Sequence, residues 1–208
     1  MSGATESIRQ TLRRQAAVDE IVEAAWDLSR TEGLGNFSMR QLGERVGMRA
    51  QSLYSYFGSK NEIFDAMFRD GNERLLEALR RALEAGGRRG PVAAGEAVVE
   101  EFVRFGTSDP TRYQLLFQRT IPGFVPSEQS YAVAQEVYEL SVRPLRDLGI
   151  DEPGLDLATA VITGIVSQQI SNDPGGDRWS RLAPQATTML LAHLAPQALE
   201  EGDRTSGT

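Results

Sequence analysis

The 208-residue chain has no cysteine, which excludes disulfides, thiolate metal sites and a thiol nucleophile. Histidine is nearly absent. His193 stands alone near the end of an apolar stretch, so it can build neither a catalytic triad nor a clustered metal site, and packing is its expected duty. Lys60 is the only lysine; the other 21 basic residues are arginines. Long hydrophobic runs are missing too. The longest lies near residues 189–195, too short to span a bilayer, and no basic segment followed by an apolar stretch opens the chain. A cytoplasmic protein with no membrane association is the simplest reading.

Other absences narrow the chemistry. The GGRRG run at 86–90 is glycine-rich but lacks the lysine and hydroxyl of a phosphate-cradling loop. The carboxylate pairs Glu100-Glu101 and Glu200-Glu201 are sequential, so on a helix they point in different directions rather than flanking a substrate. No catalytic residue, metal ligand or cofactor site is expected. Alternating strand-like runs and repeats are absent, which makes the fold class all-α.

What is present is unevenly distributed. Charged residues at 25% and apolar ones at 40% describe an ordinary globular protein, long enough to bury a core. The formal charge is −7, yet residues 38–60 hold four basic side chains against Glu44 alone, a local +3. Most of the acidic excess falls after residue 70. A basic segment in an acidic chain is the footprint that a phosphate backbone requires.

That segment is also patterned. Ser38 with Gln41 fits a capping box that opens a helix, and Phe37 with Leu42 fits the accompanying hydrophobic staple. Gly47 is the expected stop, since glycine takes a left-handed conformation without cost. A second short helix follows. Leu53 and Phe57 share its inner face, leaving Gln51, Ser52, Tyr54, Ser55 and Tyr56 on or near the outer side. Ser59 with Glu62 repeats the capping box and opens a third, longer helix. Helix, glycine turn and helix in about twenty residues is the spacing of a helix-turn-helix. Amides, hydroxyls and phenols on the outer side can bond base edges and phosphate oxygens.

The run from Ser38 to Phe64 resembles the DNA-binding domain of the tetracycline-repressor (TetR) family. The resemblance is carried by Leu53, Tyr54, Phe57 and Lys60, preceded by Gly47 and Arg40. Departures are small: Gly43 stands where the family usually has alanine, Tyr56 where histidine is frequent and Met39 where threonine is common. The resemblance implies a dimeric, ligand-responsive transcriptional repressor on a palindromic operator in double-stranded DNA. Ser38, Arg40, Arg49 and Lys60 are assigned to phosphate positioning, Tyr54 and Tyr56 to phosphate through their hydroxyls, and Gln51, Ser52 and Ser55 to base edges. The alternative is a helical ligand carrier or enzyme whose N-terminal domain has lost DNA binding.

The remaining chain divides accordingly. Residues 1–12 lack a pattern and read as a flexible arm, from which Arg9, Arg13 and Arg14 could touch phosphate if they are not simply solvated. Residues 13–72 form the DNA-binding domain, 73–198 a helical regulatory and dimerisation domain, and 199–208 a disordered tail. A helix through Val18, Ile21, Val22, Ala25 and Leu28 covers the two that follow. A long helix runs from Ser59 to about Ala85, and Pro144 should kink or break a helix at 127–148. The aromatic set Phe102, Phe105, Tyr113, Phe117, Tyr131 and Tyr138, with Gln168, is the candidate wall of a pocket for a small apolar or amphipathic ligand, or else ordinary core. The resemblance implies that the helices at 155–171 and 178–195 pack against their copies in a four-helix interface. Ile162, Ile165, Val166, Gln169, Leu190, Leu191 and Leu194 are its candidate residues.

Overall fold

The computed structural model describes residues 2–198, with side chains from Ser7 onward; the expected 199–208 tail lies outside the described residues. It is all-helical, as expected. The helices are α1 (Ser2–Glu32), α2 (Met39–Arg45), α3 (Ala50–Leu53), α4 (Lys60–Gly87), α5 (Pro91–Ser108), α6 (Pro110–Phe117), α7 (Glu128–Asp147), α8 (Glu152–Asn172) and α9 (Ala183–Leu194), with a 3-10 turn at Ser180–Leu182. Helix already begins at Ser2, so the expected arm at 1–12 is corrected to the first turns of α1. Pro144 does not break α7; it falls in the last turn, three residues before the helix ends.

The chain forms two compact units, and the division is not the simple cut expected at residue 72. Among the described residues, one unit comprises 2–71 together with 114–131, the other 72–113 together with 132–198. In the first, the apolar stripe of α1 supplies Ile21, Val22, Ala25 and Trp26 to a core that also buries Phe37, Leu42, Leu53, Ile63 and Met67. The Trp26 indole N–H, which needs a partner once buried, donates to Asp70 Oδ2 at 2.9 Å. Segment 114–131 belongs here through Phe124, whose ring meets Phe64 and Phe68 edge-on at 6.0 and 6.4 Å. Asp65 on α4 fixes the same segment: its carboxylate accepts from Ser127 N at 2.7 Å, Ser127 Oγ at 2.9 Å and the buried Ser130 Oγ at 2.8 Å. Ser127 in turn caps α7 by accepting from Ser130 N.

In the second unit α5, α8 and α9 pack together. Val103, Tyr113, Ile162, Ile165, Val166 and Leu190 form one cluster, and Val142, Ile150, Leu155 and Leu191 another. No helix among the described residues is long and apolar enough to cross a membrane.

Candidate nucleic-acid interface

The capping box is complete. Ser38 Oγ accepts from Gln41 N at 3.2 Å, and Gln41 Oε1 accepts from Ser38 N at 2.8 Å. Ser38 Oγ also donates to Gln41 Oε1 at 2.8 Å, so this hydroxyl is spent inside the cap rather than held out for phosphate. Gly47 closes α2 with φ +66°, in the left-handed region. At Gly43 α2 lies against the turn, with Met48 N donating to Gly43 O at 2.8 Å. A Cβ there would lie 2.6 Å from the Met48 carbonyl oxygen and 3.2 Å from Ala50 N.

Regular helix in α3 spans only four residues, but backbone bonds carry the turn onward, with Tyr56 N and Phe57 N both donating to Leu53 O at 2.9 Å. Leu53 is fully buried and Phe57 nearly so, which turns the opposite side out. Gln51, Ser52, Tyr54 and Ser55 are exposed there. Among the described residues the side chains of Arg49, Gln51, Ser52 and Tyr54 make no hydrogen bond or ion pair. Ser55 differs: its hydroxyl donates to Ser52 O at 2.7 Å, so toward solvent it offers only lone pairs. Arg40 lies in solvent, 3.8 Å from Glu44, an exposed pair that holds it weakly.

Tyr56 is half-buried and already engaged. The Arg14 guanidinium lies 5.1 Å from its ring centroid and donates to Ser55 O at 3.1 Å. A tie between residues 41 apart leaves no local sequence signal, although Arg14 itself was a phosphate candidate.

Lys60 departs from its expected place. Its ammonium donates to Gly35 O at 2.6 Å and lies 4.6 Å from the Phe37 ring centroid and 5.4 Å from that of Phe64. Burial pushes its pKa below the ordinary lysine value. The charge is turned toward the unit, where a carbonyl and two ring faces replace part of its water shell. Ser59 caps α4 through Glu62 N at 3.2 Å, while the Glu62 carboxylate reaches Gly58 N at 2.8 Å, one residue beyond the expected reciprocal bond.

The expected pocket set is divided between the two units and forms no single wall within either. Phe117 and Tyr131 belong to the first unit, and both are exposed, as is Tyr138 in the second. Phe105 is buried under the Arg112 guanidinium at 5.0 Å. Phe102 is half-buried against the α5–α8–α9 cluster. The buried Tyr113 hydroxyl donates to Thr163 O at 3.2 Å and lies 3.4 Å from Ser167 Oγ. Burial raises its pKa, and the Ser167 contact partly offsets this. Gln168 is exposed, accepting from Asn172 Nδ2 at 2.7 Å. A groove of about 370 Å³ in the second unit is lined by Arg80, Arg143 and Arg146 with Glu136, Glu139 and Asp147, and by none of the expected residues.

The expected interface residues are likewise used inside the protomer. Ile162, Ile165, Val166, Leu190 and Leu191 are buried in the two clusters, and Leu194 packs partly against both. Gln169 is 2% exposed and serves the 173–180 loop. Its Oε1 accepts from Trp179 N at 2.8 Å and Ser180 N at 3.0 Å, and its amide donates to Asp173 O. The outer faces of α8 and α9 carry a different set: Leu157 at 44% and Met189 at 58% exposure, with the small residues Ala160, Gly164 and Ala192 beside them.

Residues 21–67 match the sequence profile of "Bacterial regulatory proteins, tetR family". Over 149 residues the chain is 32% identical to the HTH-type transcriptional repressor DrrR1 of Streptomyces coeruleorubidus, covering 72% of this chain and 50% of that protein. The chain thus spans about half the length of this curated relative. Among solved structures, a protein from Rhodococcus sp. RHA1 superposes with TM-score 0.73 at 20% identity, covering 86% of this chain and 95% of that one. The transcriptional regulator FadR of Bacillus subtilis, solved in complex with stearoyl-CoA, superposes with TM-score 0.65 at 16% identity, covering 83% and 97%.

Proposed function

We propose that the chain, whose residues 21–67 match the tetR family of bacterial regulatory proteins, is a member of that family and a sequence-specific transcriptional repressor, a homodimer released from a palindromic operator by a small apolar or amphipathic ligand. The observation carrying this reading is the reading turn itself. Leu53 and Phe57 are buried while Gln51, Ser52 and Tyr54 stand opposite them, exposed and with side chains that make no hydrogen bond or ion pair among the described residues. Gln51 and Ser52 read base edges, Ser55 adds an acceptor, and Tyr54, Arg49 and Arg40 position the phosphates. Lys60 leaves that list and becomes the fastener of the loop before α2.

One such turn reads only a few base pairs, so two copies about 34 Å apart are needed for a selective site. Leu157, Ala160, Gly164, Met189 and Ala192 form the face that joins them. Small residues there allow two helix pairs to approach closely. FadR of Bacillus subtilis, which shares the fold, holds stearoyl-CoA, and this supports an apolar or amphipathic ligand here. Such a ligand acts by favouring one helix arrangement, to the extent that its affinity differs between the two states. α4, continuous from the reading domain into the second unit, is the lever.

The test is selection of binding sites from random duplex DNA, followed by a gel shift against scrambled sequence. Enrichment of an inverted repeat is expected. Retention of all duplexes alike, or of none, overturns the reading in favour of a carrier or enzyme.

A further inference from the structure

We infer that the N-terminal turns of α1 are a second DNA-contacting surface, which tracks the phosphate backbone beside the site read by α3. The inference rests on the proposed DNA-binding function and extends its footprint. Every described residue from Ser7 to Ala16 is exposed, so this stretch of helix stands clear of the domain core and is held to its unit through Arg14. Its root is fixed at the reading turn: Arg14 donates to Ser55 O at 3.1 Å and stacks 5.1 Å from the Tyr56 ring centroid. The projection therefore starts at the edge of the surface that faces the duplex.

Its chemistry suits an anionic partner. Residues 7–18 hold Arg9, Arg13 and Arg14 and no carboxylate, within a chain of net charge −7. Arg9 and Arg13 are four residues apart and share one helix face, and neither has a hydrogen bond or ion pair among the described residues. At about 1.5 Å of rise per residue, both lie within about 8 Å of the level of Arg14. Beyond its packed turns this exposed end of α1 gains nothing from burial of its own faces, so a docked partner would stabilise it. A phosphate strand running past the reading turn supplies one. The exposed Ile8 and Leu12 occupy another face, and pairing of those residues with a second copy is the competing outcome.

The test compares the full chain with an Arg9→Gln/Arg13→Gln variant on the selected operator, measuring affinity against salt concentration together with a hydroxyl-radical footprint. Each lost phosphate contact lowers the log–log salt slope by about 0.9, so a fall of about 1.8 per protomer is expected. Protection should disappear at the outer edges of the footprint only, with base preference retained. An unchanged slope and footprint overturn the inference. So does a change of oligomeric state in an Ile8→Glu/Leu12→Glu variant, measured without DNA, if the arginine variant binds normally. Failure of the unaltered chain to select any sequence would instead remove the DNA-binding reading itself.

Discussion

Lys60 Nζ donates to the Gly35 carbonyl oxygen at 2.6 Å, so the only lysine in the chain fastens the loop before α2 to the start of α4. A hydrogen bond to a charged group contributes about 1.5–3 kcal/mol. Lys60→Ala should therefore lower unfolding free energy by about that amount. DNA binding by the folded fraction should keep its salt slope. Arg40→Ala should do the reverse, reducing the slope by about 0.9 with stability nearly unchanged. Urea denaturation and salt titration of both variants check the pair. A reduced slope in Lys60→Ala returns the lysine to the phosphate contacts.

Gly43 faces backbone, not a side chain that could swing aside. Placing a Cβ 2.6 Å from the Met48 carbonyl oxygen forces α2 and the turn apart. Gly43→Ala should cost about 1–3 kcal/mol, the range of overpacking, despite alanine being the better helix former. Thermal unfolding measures this. A stabilised variant would show that the turn relaxes freely.

Among the described residues the Gln51 side chain has no hydrogen-bond partner to lose. Gln51→Ala should leave the melting temperature in place and relax preference at one operator position by about 1–3 kcal/mol. Repeating the binding-site selection with the variant checks it. Uniform weakening across all sequences would move Gln51 to the backbone contacts.

Gln169 and Leu157 separate fold from assembly. Gln169→Leu leaves the part-buried Trp179 and Ser180 N–H groups without their acceptor. It should destabilise by about 1–3 kcal/mol per stranded group while leaving oligomeric state alone. Leu157→Glu with Met189→Glu should do the opposite, giving a folded monomer. Light scattering with a denaturation curve distinguishes them, and a dimeric Leu157→Glu/Met189→Glu protein sinks the assigned face.

What the sequence reveals here is what is decided locally. The Ser38–Gln41 cap lies within one helical turn, and the burial of Leu53 and Phe57 follows from their spacing. Arg14, Lys60 and Asp65 escape such a reading because their partners are 41, 25 and at least 62 residues away. Gln169 was legible as an oddity in an apolar helix, but not its use: its partners arrive 10 and 11 residues later, after a loop. On α8 nearly every face is apolar or small, so periodicity alone could not tell which residues the protomer would bury for itself.

The carboxylate of Asp65 has one more implication, for anyone excising the reading domain as a stand-alone module. Cut after residue 72, the peptide would lose Ser127 and Ser130 and strip the Phe124 ring from Phe64 and Phe68. Its sticky, half-dressed flank would invite clumping, and a minimal working piece must carry the loop that comes back to it.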